Sequence, residues 1–194
     1  MRALILAVGL GGLIPAGPLA AQDPPGDPQA GRQVANMCRT CHGLDGYAQV
    51  PIAPHIGGEP ATYLSAQLRA FRSGEREHEM MSVVAKNLTD EQIANVAAWY
   101  ASHTATAVLP DGFDAAAAPT LCSDCHGADG IAVVADAPHL AGENRVYLET
   151  QLNAFRTGQR THDIMTPIAT ELTDGELREV ADWFASIELE IAGP

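Results

Sequence analysis

The chain has 194 residues, with 24 Asp and Glu against 11 Lys and Arg, a formal net charge of −13 and 46% hydrophobic residues. That length holds one domain or two small ones with a real core. The negative balance excludes nucleic acid as a partner, because binding a phosphate backbone needs an excess of Lys and Arg.

The chain opens with Met1 and Arg2, the apolar run "ALILAVGLGGLIPAG", then "PLAAQD". A charged start, a short apolar stretch and a small-residue end predict a secretory signal peptide over residues 1–21, cut after Ala21. A retained anchor is the competing reading, but Pro15, Pro18 and four glycines make a poor spanning helix. The mature chain is therefore expected to be soluble and exported to the periplasm, where oxidising conditions would favour disulfides among its four cysteines.

"DPQAGRQVANM" predicts a helix with Asp27 as cap and Pro28 at its first position. "CRTCHGLDG", residues 38–46, follows. "YLSAQLRAF" carries Tyr, Leu, Leu and Phe at helical spacing, and Gly74 stops it. Thr89 and Gln92 form a capping box ahead of "IANVAAWY". The stretch "TATAVLPDGFD", residues 104–114, reads as a linker with Pro110 and Gly112.

The elements then recur 84 residues later without a gap: "CSDCHGADG" at 122–130, "YLETQLNAF" before Gly158, and Thr173 with Glu176 before "LREVADWF". About half of the residues from 38 to 102 are unchanged in the second copy. Two such copies predict two similar globular domains, 22–103 and 115–194. The counterpart of the opening helix contains Pro119, which predicts a shorter or interrupted helix there. No strand alternation of any length stands out, so the fold class is all-α.

Paired Cys-x-x-Cys motifs are compatible with zinc, a redox dithiol or haem. Structural zinc needs two such pairs about 15–20 residues apart, whereas these lie 84 apart in separate repeats. A thioredoxin-like motif belongs beside a strand–helix–strand pattern, which is absent, and plain disulfides leave the two following histidines unexplained. Cys-x-x-Cys-His is the haem c attachment motif: Cys38 and Cys41, and Cys122 and Cys125, would add to the haem vinyl groups, with His42 and His126 on the iron. Two haem c groups are thus expected. Aligning the copies matches Met81 to Met165, while Met80 matches Ile164, so Met81 and Met165 are the expected sixth ligands. They are placed in a loop just before a short helix capped by Ser82 and by Thr166 with Pro167. With both iron faces taken, the expectation is electron transfer and not catalysis.

Other duplicated residues are assigned lesser roles. His55 and His139, and His78 and His162, are expected to hydrogen-bond near the cofactor or to solvent and not to ligate it. The carbonyls of Pro54 and Pro138 are placed to accept the Nδ1 protons of His42 and His126. Arg72, Arg76, Arg156 and Arg160 either pair with haem propionates or end helices in solvent. Trp99 and Trp183 are expected in the core.

With "CHGxDG", "QLxAFRxG" and a methionine ahead of "LTD" in both copies, the chain resembles the cytochrome c4 family over essentially all of its length after the leader. The resemblance implies two class I cytochrome c domains related by a pseudo-twofold axis. It further implies a periplasmic carrier, often peripherally membrane-associated, that passes electrons from a quinol-oxidising complex to a terminal oxidase or reductase. Similar di-haem domains also serve as electron-accepting subunits of dehydrogenases such as flavocytochrome c sulfide dehydrogenase. The charge is uneven: residues 22–103 hold nine acids and six bases, whereas 104–194 hold fifteen acids and four bases. That asymmetry favours a redox partner with a basic docking surface at the C-terminal half.

Overall fold

The computed structural model describes residues 25–194; the leader expected at 1–21 lies outside them. The N-terminal half runs α1 (Pro28–Ala35), α2 (Arg39–His42), α3 (Ala61–Ser73), α4 (Met81–Ala85) and α5 (Asp90–Ala101). Strand β1 (Thr104–Val108) and a 3-10 turn (Ala115–Ala117) lead into α6 (Thr120–His126), α7 (Arg145–Thr157), α8 (Met165–Glu171), α9 (Asp174–Ala185) and β2 (Glu188–Ala192). Among the described residues no helix is long and apolar enough to cross a membrane.

The helix boundaries follow local chemistry. Asp27 accepts the N–H of Gln29 at the start of α1, with Pro28 in the first turn. Thr89 with Gln92 and Thr173 with Glu176 complete both capping boxes. Gly74 and Gly158 close α3 and α7 at φ of 86° and 76°, where other residues would be strained. Each half has its own core: Ala35, Leu64, Val96, Ala97 and Tyr100 in the first, and Leu148, Phe155, Leu177, Val180 and Phe184 among others in the second.

Pro119 acts as expected. The opening helix of the second half is reduced to the 3-10 turn, and helix resumes only at Thr120, with Pro119 as its N-cap. The face of Trp183 is met instead by Phe113, at 5.2 Å between ring centroids, where Arg32 of α1 lies 5.8 Å from the Trp99 ring.

The mainly helical architecture carries one addition, a two-stranded antiparallel sheet of β1 and β2. Residues 104–108, read from the sequence as the start of a linker, are therefore hydrogen-bonded structure. The strands occupy equivalent positions in the two repeats, and their register pairs Thr104 with Ala192 and Thr106 with its own counterpart, Glu190. An antiparallel ladder centred on equivalent residues is what a twofold axis through the sheet produces. The halves thus meet by an isologous contact inside a single chain. Gly58 and Gly142 pack beneath it: a Cβ on Gly58, at φ 81°, would lie 2.7 Å from the nitrogen of Ala105, and one on Gly142, at φ 65°, 2.9 Å from that of Leu189.

Helix α1 crosses α5 closely because Gly31 has no side chain; a Cβ there would fall 1.9 Å from the carbonyl oxygen of Asn95. Gly31→Ala should therefore destabilise the N-terminal half by roughly 1–3 kcal/mol, despite alanine's better helix propensity. Urea unfolding of the haem-loaded protein checks this, with exposed Gln33→Ala as a control expected within about 0.5 kcal/mol of the parent.

Candidate functional site

Each Cys-x-x-Cys-His segment lies on one turn of helix. Cys38 is the N-cap of α2 and His42 its last residue, followed by Gly43 at φ 74°; in α6 both cysteines are helical and Gly127, at φ 75°, follows His126. All four cysteines are half-buried and free. Burial pushes the Cys38 and Cys122 thiols up to about 11. Among the described residues no three His, Cys, Asp or Glu side chains are grouped as they would be around a bare metal ion.

His42 and His126 are buried. Their Nδ1 atoms bond to the carbonyl oxygens of Pro54 at 2.9 Å and Pro138 at 2.8 Å, the partners expected from sequence. A carbonyl can only accept, so Nδ1 carries the proton and Nε2 keeps its lone pair for a metal. Burial lowers the pKa of both rings, against the opposing effect of the proline carbonyls, and so favours the neutral form that ligates. The loop after each histidine is pinned from α5 and α9: Trp99 Nε1 donates to the Leu44 carbonyl at 2.8 Å and Trp183 Nε1 to that of Ala128 at 3.0 Å. These tryptophans are half-buried, and their polar edge has a task that the core assignment missed.

Met81 and Met165 are the first residues of α4 and α8, with Met80 and Ile164 as N-caps, so each sits inside its short helix and not in the loop before it. The turn is built by His78 and His162, whose Nδ1 atoms accept the N–H groups of the methionines at 3.4 and 3.3 Å. Ser82 and Thr166 accept from the backbone of those histidines in return, at 3.0 and 2.9 Å. Met80 and Ile164 are 61% and 57% exposed, whereas Met81 and Met165 are half-buried. Two free thiols, an imidazole with Nε2 unengaged and a half-buried thioether in each half fit a covalent haem.

Arg72 and Arg156 tie the ends of α3 and α7 to Asp90 and Asp174. Arg76 and Arg160 do something else: they cross between the halves. Arg76 donates to Gln67 and Gln151, each at 2.7 Å, and Arg160 to the same two oxygens, each at 2.9 Å. His55 and His139 cross as well. Their Nδ1 atoms accept the N–H of Ala48 at 3.0 Å and Ala132 at 2.9 Å, so Nε2 is the donor, to Gly142 O at 3.2 Å and Gly58 O at 3.0 Å. Glu59 and Glu143, not singled out from sequence, are only 4% exposed each and reach the opposite half. His55, Gly58, Glu59, Gln67 and Arg76 all recur 84 residues later, so the duplication did hold the signal for this interface.

With this geometry established, comparison with known proteins decides the family. The chain is 30% identical to cytochrome c4 of Pseudomonas aeruginosa, across 95% of this chain and 96% of that one. This protein belongs to the cytochrome c4 family. It is also 32% identical to the thiosulfate dehydrogenase electron acceptor of Thiomonas intermedia, over 96% of this chain and 91% of the relative. The reduced recombinant cytochrome c4 from Pseudomonas stutzeri superposes with a TM-score of 0.72 at 25% identity, covering 84% of this chain and all of that one. The family model for cytochrome c oxidase, cbb3-type, subunit III matches residues 26–99. The protein is thus a di-haem class I cytochrome c, an electron-transfer protein carrying two haem c groups with His and Met ligation.

The interface histidines give a pH test. Burial depresses both His55 and His139 below the ordinary 6.5. Only the neutral ring accepts at Nδ1, so the bond to Ala48 or Ala132 is complete above 6.5 and is lost as pH falls through the depressed value. Amide exchange at Ala48 and Ala132, corrected for intrinsic rate, should show constant protection from pH 8 to 6.5 and falling protection in acid. Protection that stays constant while the His55 and His139 rings protonate, followed by their own ring proton resonances, would contradict the assigned tautomer.

Proposed function

We propose that Cys38 and Cys41 attach one haem with His42 and Met81 on its iron, and that Cys122 and Cys125 attach the other with His126 and Met165. The observation that carries this reading is the pair of Cys-x-x-Cys-His histidines, each with Nδ1 committed to a proline carbonyl and Nε2 left for iron. The thioether favours ferrous iron relative to a second imidazole, which raises the potential of both sites. The protein half of the chemistry is rigidity: helix α2 or α6, the tryptophan-pinned loop and the His78 or His162 turn hold both ligands, so oxidation state changes with little rearrangement.

The chain so equipped acts, after export to the periplasm, as a shuttle between a quinol-oxidising complex and a terminal oxidase or reductase. Its likeness to a thiosulfate dehydrogenase electron acceptor favours a second reading, in which a periplasmic dehydrogenase supplies the electrons. Stopped-flow reduction of the purified protein by each class of donor separates the two: the physiological donor reduces it within milliseconds, and the other does so slowly.

Replacement of Met81 or Met165 by Ala should remove one methionine-to-iron charge-transfer band and lower the potential of that site alone. Met80→Ala should leave both bands. Loss of the first site's band in Met80→Ala, with retention in Met81→Ala, would reverse the assignment.

Charge directs docking in the same reading. The C-terminal half presents its excess of acids to a basic partner, since brief redox encounters are steered more by field than by buried area. Glu176 is used in a capping box and Asp182 in an ion pair with Arg145, so exposed Glu171, Glu179 and Glu188 are the informative positions. Their conversion to Gln should flatten the salt dependence of electron transfer to a basic partner more than conversion of Glu75, Glu77 and Glu79. Equal flattening by both sets would remove the asymmetry from docking.

A further inference from the structure

The peptide group between Pro54 and His55 has both polar ends engaged. Its carbonyl accepts from His42 Nδ1 at 2.9 Å, and its N–H donates to Glu143 Oε2, in the other half, at 3.1 Å. The peptide between Pro138 and His139 repeats the arrangement, accepting from His126 Nδ1 at 2.8 Å and donating to Glu59 Oε2 at 3.0 Å. One planar, conjugated unit therefore separates each iron-side histidine from a carboxyl group of the opposite half.

Among the described residues the surroundings of the two carboxyls are polar but supply no ion-paired cation. Glu143 also accepts the N–H of Asn144 at 2.8 Å. Glu59 and Glu143 lie close enough to repel one another, and Tyr147 faces Glu143. Arg76 and Arg160 approach Tyr147 but give their short hydrogen bonds to Gln67 and Gln151. The neutral His55 and His139 rings are occupied by backbone groups, with Asp45 and Asp129 acting on them from their own halves. Burial is the main cause that pushes both carboxyls upward, Glu143 to about 8, with the neighbouring carboxyl adding to the rise at Glu59.

We propose that Glu143 and Glu59 are positioning residues that act across the interface, each adjusting through one peptide group the donor strength of the opposite half's iron histidine, so that a proton on the carboxyl is linked to an electron on that iron. The inference rests on His42 and His126 being iron ligands. An ionised carboxylate draws on the N–H, polarises the peptide and makes its carbonyl a stronger acceptor. The imidazole becomes more electron-rich, which favours ferric iron. With haem held by His42 or His126, one-electron reduction by a redox partner would be matched by transfer of one proton from solvent to the carboxylate across the interface, forming its O–H bond, and reoxidation would release both. Because the wiring is crossed, the proton sits in one half and the electron in the other.

The test measures both haem potentials between pH 5 and 9 in the full di-haem protein, following each haem by its own ferric proton resonances, assigned with Met165→Ala. In the unmodified protein both potentials should fall as pH rises. Glu143→Gln keeps an acceptor for the His55 N–H but cannot ionise; it should flatten the slope of the N-terminal haem and leave that of the C-terminal haem. Glu59→Gln should do the reverse. Equal changes at both haems, a change confined to the variant's own half, or unaltered slopes would each overturn the proposal. A second readout needs no variant: the His42 Nδ1 proton resonance of the ferrous protein should move downfield as Glu143 ionises, and a resonance that stays fixed counts against the coupling. The methionine charge-transfer band reports the sixth ligand separately. Its absence would sink the methionine assignment without touching the exchange of slopes, which depends on the histidines alone.

Discussion

The hydrogen bond from each Cys-x-x-Cys-His imidazole to a proline carbonyl is the constraint around which both halves are arranged. It requires the chain to turn back after the histidine and bring residue 54, or 138, beneath the ring. Gly46, at φ 90°, allows that return: a Cβ there would lie 2.2 Å from the nitrogen of Gly57, and its carbonyl instead accepts the N–H of Ile56 at 2.8 Å. The indole N–H of Trp99 or Trp183 fixes the same loop from the long helix behind it. Helix, loop and proline thus form one closed local unit, and the imidazole can hold a single tautomer and orientation.

That unit is also where the halves meet. The residue after each proline is a histidine that crosses to the other half, and four residues further on a glutamate crosses too. The contact is isologous, so each bond is formed twice from the same pair of residue types, and a change at one position would break one bond of the pair and spare the other. Its polar side chains are two guanidiniums, two amides, two imidazoles, two carboxyls and two phenols. Each polar group finds a partner, and among the described residues no buried side-chain nitrogen or oxygen is left without one. Such a network specifies one arrangement of the halves, since a displaced arrangement would leave buried polar atoms unsatisfied.

Much of this was legible because its causes are local. Asp27 with Pro28, the two capping boxes, Gly74 and Gly158, and the break at Pro119 all act within one helical turn, and each appeared where the sequence placed it. The proline carbonyls were legible through the duplication and the needs of an iron histidine. The sheet was not, because "TATAV" and "ELEIA" are five residues each and are strands only by virtue of each other. Nothing in either segment separates it from a linker until the other is beside it. The crossing residues were missed for a related reason. Glu59 and Arg76 look like solvated charges in their own half, and only the approach of the second copy buries them. The helix starts at the methionines were misplaced by two residues because His78 and His162, rather than Ser82 and Thr166, supply the acceptors for the first turn.

The symmetry of the interface does not extend outward, and the two haem environments differ in what stands behind them. Tyr100 donates to the Gly43 carbonyl at 3.2 Å, at the end of the first attachment helix, whereas Phe184 at the equivalent position has no hydroxyl. A full helix, α1, packs on α5 in the first half, and a single 3-10 turn stands in its place in the second. The acids are concentrated on the second half as well. All three differences lie outside the shared peptide units: Tyr100 and Phe184 are buried in their cores, whereas the opening helix and the excess of acids alter the outside of each half. The histidine–proline units and the interhalf contact use the same residues twice and are alike in both halves, whereas the outer faces differ. A duplicated chain can in this way keep one internal geometry in both halves while the outer faces become unlike.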